Sequence, residues 1–295
     1  MARYPRLMPA QPRLLRAEVL RSERRSPAFH RVTIGGPELD QLEWVGFDQW
    51  FRLFIPPAPG APMVLPSVSG RTWWQPYLAI AEHERPHCSN YTVAAVRRTS
   101  RGTELDIDVV VHRDPDGEVG GGVARWATGA VPGSPTALLD QGLLFDPPPG
   151  ADDVHLVADE TGVPAVRGIL RDLPADATGS AILEVPTSAD VEPLEAPESF
   201  HVTWIARDDD RAVPGVAALA ELRRRPAPAA DAYAFVVGEQ ALATGSRRHL
   251  HQVGLAKSRI TFSGFWKHTP HHAAANSVAP VDRSADPSML AKPPG

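Results

Sequence analysis

At 295 residues and 31.9 kDa the chain exceeds the usual size of one domain, so two cores of ordinary dimensions suit it better. A formal charge of −5 and a pI near 6.1 argue against a general nucleic-acid or anionic-membrane surface and leave only local cationic sites. The single cysteine, Cys88, excludes an internal disulfide and a multi-thiolate zinc site, and it fits a reducing compartment.

From Met1 to Arg16 the chain mixes basic, proline and scattered apolar residues, with no apolar stretch long enough for a signal peptide and none anywhere for a membrane span. A soluble, cytoplasmic protein is expected. Short apolar runs then recur between breakers: Leu14 to Leu20, Phe29 to Ile34, Trp50 to Ile55, Tyr91 to Val96, Leu105 to Val111 and Thr136 to Leu139. Strands of this length punctuated by Pro and Gly predict an antiparallel β-barrel or sandwich. Glu104 to Val111 alternates acidic and apolar residues before its valines, which predicts one wet face until the end enters the core. One helix is predicted here, Val123 to Thr128. The glycines before it, Gly120-Gly121-Gly122, leave first-turn amides open to an anion.

Past Pro147 to Pro149 the rhythm becomes strand, helix, strand, as in a doubly wound parallel sheet. Strands are predicted at Asp153 to Ala158, Ala181 to Val185, His201 to Ala206, Tyr233 to Val237 and Arg259 to Phe262. Helices fit at Pro164 to Asp172, Val216 to Arg225 and Gln240 to Val253. The expected organisation is a barrel domain over 1–146, an α/β domain over 151–268 and an unfolded tail over 270–295. Ligands of such sheets bind outside the carboxyl ends of the strands, which carry Asp159-Glu160-Thr161, Arg207-Asp208 and Gly238-Glu239. No G-x-G-x-x-G or Walker loop occurs.

Several residues admit two readings. Asp159 or Thr161 before Pro164 is ordinary capping chemistry, yet Asp159 and Glu160 at a cleft can act as acid or base. Arg207 can pair with a nucleotide 2′-phosphate or with its neighbours Asp208-Asp209-Asp210, and the second reading leads. Trp73, Trp74 and Tyr77 either pack a barrel end or line an aromatic pocket. Arg247-Arg248-His249 reads as a solvated helix face. His268, His271 and His272 have no carboxylate or thiolate partner nearby, and no metal site is predicted.

The motifs Val32-Thr33-Ile34-Gly35-Gly36-Pro37-Glu38-Leu39, Asp48-Gln49, Leu53-Phe54-Ile55-Pro56, Tyr91-Thr92-Val93, Arg125-Trp126-Ala127, Asp159-Glu160-Thr161, Gly238-Glu239 and Phe262 to Lys267 follow one another in a distinctive order. In that order the chain resembles the siderophore-interacting proteins, the bacterial ferric-siderophore reductases, from about Leu14 to Lys267. The resemblance implies a ferredoxin-reductase-like fold, FAD in the barrel domain, NAD(P)H or a protein donor at the second domain, and iron(III) in a siderophore or another small metabolite as acceptor. It places Tyr91, Thr92 and Val93 at the flavin, and Gly121, Gly122 and Val123 at its phosphates. Asp159, Glu160 and Thr161, with Gly238 and Glu239, come at the flavin–nicotinamide cleft, and Trp266 and Lys267 near the cofactor or the ferric siderophore.

The family's flavin motif is Arg-x-Tyr-Thr-(Val/Ile/Leu)-Arg, and here Ser89 and Ala94 stand at the arginine positions. Ala124 replaces the serine of its phosphate turn. Charge-assisted hydrogen bonds contribute roughly 1.5–3 kcal/mol each, so these losses predict a weakened grip on FAD. Arg98 is too far along the strand to substitute, and Arg85 would have to loop back. Three functions follow from these residues: a diverged flavin-dependent reductase, first in order; a flavin-free enzyme using Tyr91, Thr92, His112 or Glu160 for a non-redox step such as cyclisation, isomerisation or proton transfer; and a non-catalytic siderophore- or metabolite-binding protein. Catalytic candidates are Asp159, Glu160 and His112, and substrate-binding candidates are Trp73, Trp74, Trp266 and Lys267.

Overall fold

The computed structural model describes residues 7–9, 12–70, 72–113, 116–209 and 211–268; the expected tail over 270–295, with His271 and His272, lies outside the described residues. Seven antiparallel strands build the first sheet: β1 (Leu14–Arg24), β2 (Phe29–Gly35), β3 (Trp50–Ile55), β4 (His87–Thr92), β5 (Ala95–Thr99), β6 (Gly102–Val110) and β7 (Pro135–Gly142). Their spatial order is β4-β3-β7-β1-β2-β6-β5, so β4 and β5, consecutive in the chain, lie at opposite edges. The Val93 amide donates to the Gln49 carbonyl beside β3 (2.8 Å), and the next amide, Ala94, donates to Asp106 on β6 (2.9 Å). The chain thus crosses from one edge to the other in two residues, and the sheet curls into a barrel. The single strand expected over Tyr91 to Val96 is corrected to two strands meeting at this seam.

The alternation in β6 also resolves differently from expectation. Asp106 and Asp108, expected on a wet face, are only 2% and 6% exposed. Asp106 accepts from Thr33 Oγ1 (2.6 Å) and Arg97 Nη1 (2.5 Å), and Asp108 accepts from Arg31 Nε (2.7 Å) and from Arg167. Guanidinium partners hold both carboxyls below their ordinary pKa despite burial. A polar residue in a period-two pattern therefore marks a buried ion-pair layer as readily as a solvent face.

The second sheet is parallel: β8 (Asp153–Ala158), β9 (Thr178–Val185), β10 (Phe200–Ala206), β11 (Tyr233–Glu239) and β12 (Ile260–Trp266), in order β10-β9-β8-β11-β12. Helices α3 (Val163–Asp172), α4 (Val216–Arg224) and α5 (Gln240–Gln252) cover it. Leu156, Ala158, Phe235 and Val237 pack with Val166 and Ile169 of α3 and with Phe47 and Phe145 from the barrel side. Val157, Ala234 and Val236 pack on the opposite face with Leu222 of α4 and Leu242 and Leu250 of α5. Both faces are buried, as parallel sheets require. Strand order reverses between β8 and β11, so their carboxyl ends, Asp159 and Glu239, flank the ligand crevice of this topology.

Two short helices lie on the barrel: α1 (Trp74–Leu78), which the sequence pattern does not predict, and α2 (Gly122–Gly129). The two halves are joined by polar clamps. Asp190 accepts from Ser26 Oγ (2.5 Å) and the Ala28 amide (2.8 Å), and Asp172 on α3 accepts from the Phe47 amide (2.5 Å). Among the described residues no helix is long and apolar enough to cross a membrane.

Candidate functional site

The carboxyl edge of the parallel sheet is built around Asp159. Its carboxylate accepts from the Thr161 amide (2.9 Å) and hydroxyl (2.6 Å), the Glu239 amide (2.5 Å) and Trp266 Nε1 (2.9 Å). It thereby caps the turn after β8 and ties β8, β11 and β12 together. Gly238, at φ +125, is needed here because a Cβ would stand 2.6 Å from the Asp159 carboxylate. Burial, and then the neighbouring Glu160, push the Asp159 pKa up to about 6.

Glu160 is fully buried and receives both arms of Arg207, each at 2.9 Å. Arg207 Nη1 also donates to Glu184 Oε1 (2.9 Å) at the end of β9, and Glu184 accepts from the Gly215 and Ala218 amides at the start of α4. With its side chain 6% exposed, Arg207 is committed to these two carboxylates rather than to the neighbouring Asp208 and Asp209. Asp208 and Asp209 are engaged elsewhere: Asp208 accepts from the Ser188 amide and Asp209 from the Arg211 amide. Two buried carboxylates at adjacent strand ends claim it as their shared counter-ion. Glu239 is also engaged, capping α5 through the Ala241 and Leu242 amides and accepting from the His268 amide (3.1 Å).

His112, which follows β6, carries the barrel to this edge. Its Nε2 is 3.9 Å from Glu160 Oε1, an ion pair only when the ring is protonated, and its ring lies 5.4 Å from Trp266. Desolvation, then the positive charge of Arg207, hold the His112 pKa below its ordinary value. The His112 carbonyl accepts from the Gly120 amide (2.9 Å), which folds the Gly120-Gly121-Gly122 segment back beside the same strand end. His112, Asp159, Glu160, Thr161, Gly238, Glu239 and Trp266 thus come together, while Lys267 next in sequence is exposed.

A second group gathers at α2. Tyr91 and Trp126 both pack against the barrel core cluster that contains Val93 and Val123, and burial drives the Tyr91 phenol pKa upward. On the same strand face lie Ser89 and His87, joined by Nε2···Oγ at 2.9 Å. The His87 ring stands 3.7 Å from where a Cβ on Gly122 would sit. Gly121 (φ +80) opens α2 without a side-chain cap, leaving first-turn amides with no partner inside the helix. A Cβ there would meet nothing within 4 Å, so the approach is open. Trp126 Nε1 is buried without a hydrogen-bond partner. Thr92 is buried on the opposite strand face, across from Trp50. Neither neighbouring arginine reaches position 89: Arg85 donates to the Leu78 and Ile80 carbonyls, and Arg98 to Thr103 and the Asp40 carbonyl.

The third group is on the outer face of β3. Arg52 lies over Trp50 (5.4 Å) and Trp73 (5.2 Å), with its Nε buried and unpartnered. Trp73 is 5% exposed and packs against Phe54, whereas Trp74 is half-buried and stacks on Tyr77 at 5.3 Å. Of the two readings for these aromatics, Trp73 fulfils packing; Trp74 keeps an accessible edge. Sequence reasoning passed over Arg52 and His87. The signal for Arg52 was its alternation with Trp50 and Phe54; His87 shows only once β4 is known to begin four residues before Tyr91.

Comparison with known proteins gives two consecutive matches: the family described as Siderophore-interacting FAD-binding domain over residues 18–143, and Siderophore-interacting protein over residues 151–269. The ferric vibriobactin reductase ViuB of Vibrio cholerae is 33% identical over 264 residues, covering 87% of this chain and 89% of that protein. This chain belongs to the siderophore-interacting protein family. The NADPH-dependent ferric-chelate reductase of Escherichia coli K12 is 31% identical over 270 residues, 90% of this chain and 97% of that one. Among solved structures, a siderophore utilization protein from T. fusca superposes with a TM-score of 0.74 at 29% identity, covering 90% of this chain and 97% of that chain. The Amycolatopsis cytochrome P450 reductase GcoB (TM-score 0.58, 17% identity, 87% of this chain and 71% of that chain) shares the fold. The barrel thus matches a family described as an FAD-binding domain, and the whole chain has a ferredoxin-reductase-like fold.

Proposed function

We propose that this family member is an FAD-dependent reductase that passes electrons from NAD(P)H to iron(III) held in a siderophore, the ferric chelate being its substrate. One observation carries the reading: His112 at the barrel's strand end meets Glu160 and Trp266 at the crevice of the parallel sheet, and its carbonyl anchors the glycine segment that opens α2. The glycine segment and the crevice thereby share one wall, which supports a phosphate subsite beside the crevice. The residues fit a flavin, since Gly121 leaves an open approach to the α2 amides and the His87 ring lies beside Gly122. When bound, FAD converts the hydride chemistry of a nicotinamide into single-electron delivery to iron(III).

The chain's own residues hold and shape. Gly121, Gly122 and Val123 offer amides to the diphosphate; Tyr91, Thr92 and Val93 form the strand edge at the flavin ring; and Asp159 to Thr161 with Gly238 and Glu239 form the nicotinamide side. Asp159, its pKa pushed up to about 6, is the crevice group that can exchange a proton near neutral pH, and His112, held below its ordinary value, stands beside it as an imidazole acceptor. Arg52 and Lys267, with Trp74 and Trp266, supply cationic and aromatic surface for an anionic chelate.

The test is a visible spectrum of the purified protein with added FAD, followed by anaerobic NADPH and a ferric siderophore with an iron(II)-trapping dye. A retained flavin band that NADPH bleaches, and iron(II) formed only when flavin is present, are expected. A flavin-loaded protein that yields no iron(II) would overturn the reductase reading. Ser89 and Ala94, without guanidinium, favour a second reading: a flavin-free enzyme using Asp159, Glu160 and His112 for proton transfer on a small organic substrate. A protein that stays colourless with excess FAD supports that reading.

A further inference from the structure

The family's motif puts an arginine at position 89, and this chain has a serine whose hydroxyl is already held by a histidine two residues upstream. His87, Ser89 and Tyr91 point to one side of β4, toward α2. The imidazole edge comes within van der Waals distance of the space above Gly122, and Arg125 lies one turn along the same helix. Among the described residues the Arg125 guanidinium makes one hydrogen bond, a long one of 3.4 Å to the Val119 carbonyl. We propose that His87, with Ser89 beside it and Arg125 behind it, holds the FAD diphosphate at the start of α2 in place of the family's arginine, making flavin retention depend on a titratable group. This inference rests on the FAD reading above.

A diphosphate diester keeps two negative charges throughout the neutral range, whereas an arginine stays charged at every working pH. His87 is exposed at the start of β4; without a ligand, partial desolvation against α2 and then Arg125 hold its pKa below its ordinary 6.5, so the neutral ring predominates at pH 7. Arg125 is the charged group facing it from α2; Ser89 on its own strand and Ile55, its neighbour on β3, carry none. A bound diphosphate brings negative charge to the ring and raises its pKa, so binding takes up a proton. Because the bound form then holds the proton more tightly, affinity is greatest below the bound-state pKa and falls as pH rises through it.

The full chain is titrated with FAD and with riboflavin from about pH 5.5 to about pH 8.5, following flavin fluorescence. Wild type is expected to bind FAD about three- to sixfold more tightly at pH 6 than at pH 8, most of the tenfold limit that one linked proton with a pKa shift of about one unit sets. Riboflavin, which lacks the diphosphate, is expected to show no such change. His87→Gln flattens the FAD profile at the weak, high-pH level. Ser89→Arg tightens FAD at pH 8 and removes the pH dependence by restoring a permanent charge. A His87→Gln variant that retains the wild-type profile, or FAD binding no tighter than riboflavin at any pH, overturns the histidine proposal while leaving the FAD reading intact. Absence of saturable binding of either flavin overturns both.

Discussion

Arg207 makes three charge-assisted bonds to two carboxylates that have no solvent to turn to. Such a pair adds little net stability over a well-packed apolar alternative, yet breaking it from one side strands a buried charge. Arg207→Met is expected to lower stability by about 3–5 kcal/mol, the cost of leaving Glu160 and Glu184 without a counter-ion. Arg207→Lys should recover only part of this, since an ammonium keeps the charge and loses the planar fork. Urea unfolding curves of the three proteins check the order; a wild-type midpoint for Arg207→Met would show that the network is replaceable. The same cluster marks where sequence reasoning stops. Asp159 as a cap was legible because a cap and its helix are neighbours in sequence, whereas Arg207 meets Glu160 across 47 positions and Glu184 across 23.

At the scale of elements, period-two and period-3.6 patterns placed nearly every strand and the three long helices within a few residues, because burial of one face is a local property of the chain. The exceptions were set by tertiary contacts. The β4–β5 break at Val93 is invisible to alternation, since both strands are apolar enough and only the crossing between sheet edges ends the first. Helix α1 is five residues held by aromatic stacking rather than by propensity. Packing between elements can also invert a propensity rule. Gly168 lies inside α3, where Gly→Ala ordinarily stabilises by up to about 1 kcal/mol. Here an added Cβ would fall deep inside contact with the Phe47 carbonyl oxygen, which joins the barrel to α3. Gly168→Ala is therefore expected to destabilise by about 1–3 kcal/mol through overpacking. Differential scanning calorimetry should show a lower Tm, and a raised Tm would mean that this contact relaxes freely.

The whole molecule carries opposing titrations. Paired carboxylates such as Asp106 and Asp108 have depressed pKa values, so their contribution is present above the ordinary carboxylate range and lost in acid. Histidines 30, 87 and 112 are held below 6.5, so unfolding takes up protons just below that pH and stability falls there as well. Asp48 works the other way. Buried between the halves, it accepts from the Leu144 and Phe145 amides, and desolvation pushes its pKa up to about 7. The folded protein then holds this proton more tightly than the unfolded chain. Its effect on stability is most favourable below the unfolded value of 3.8, declines as pH rises toward 7 and levels off above it. Asp48→Asn keeps an acceptor and cannot ionise, so comparing the two proteins isolates this one proton from the histidines and the paired acids. From about pH 4 to about pH 8 the variant should gain on wild type by up to about 4 kcal/mol, three pKa units at 1.36 kcal/mol each. Urea unfolding at four pH values measures the gap. A gap that does not change with pH would place the Asp48 proton elsewhere, with the carboxylate ionised in both states and its two amide donors sufficient to offset burial.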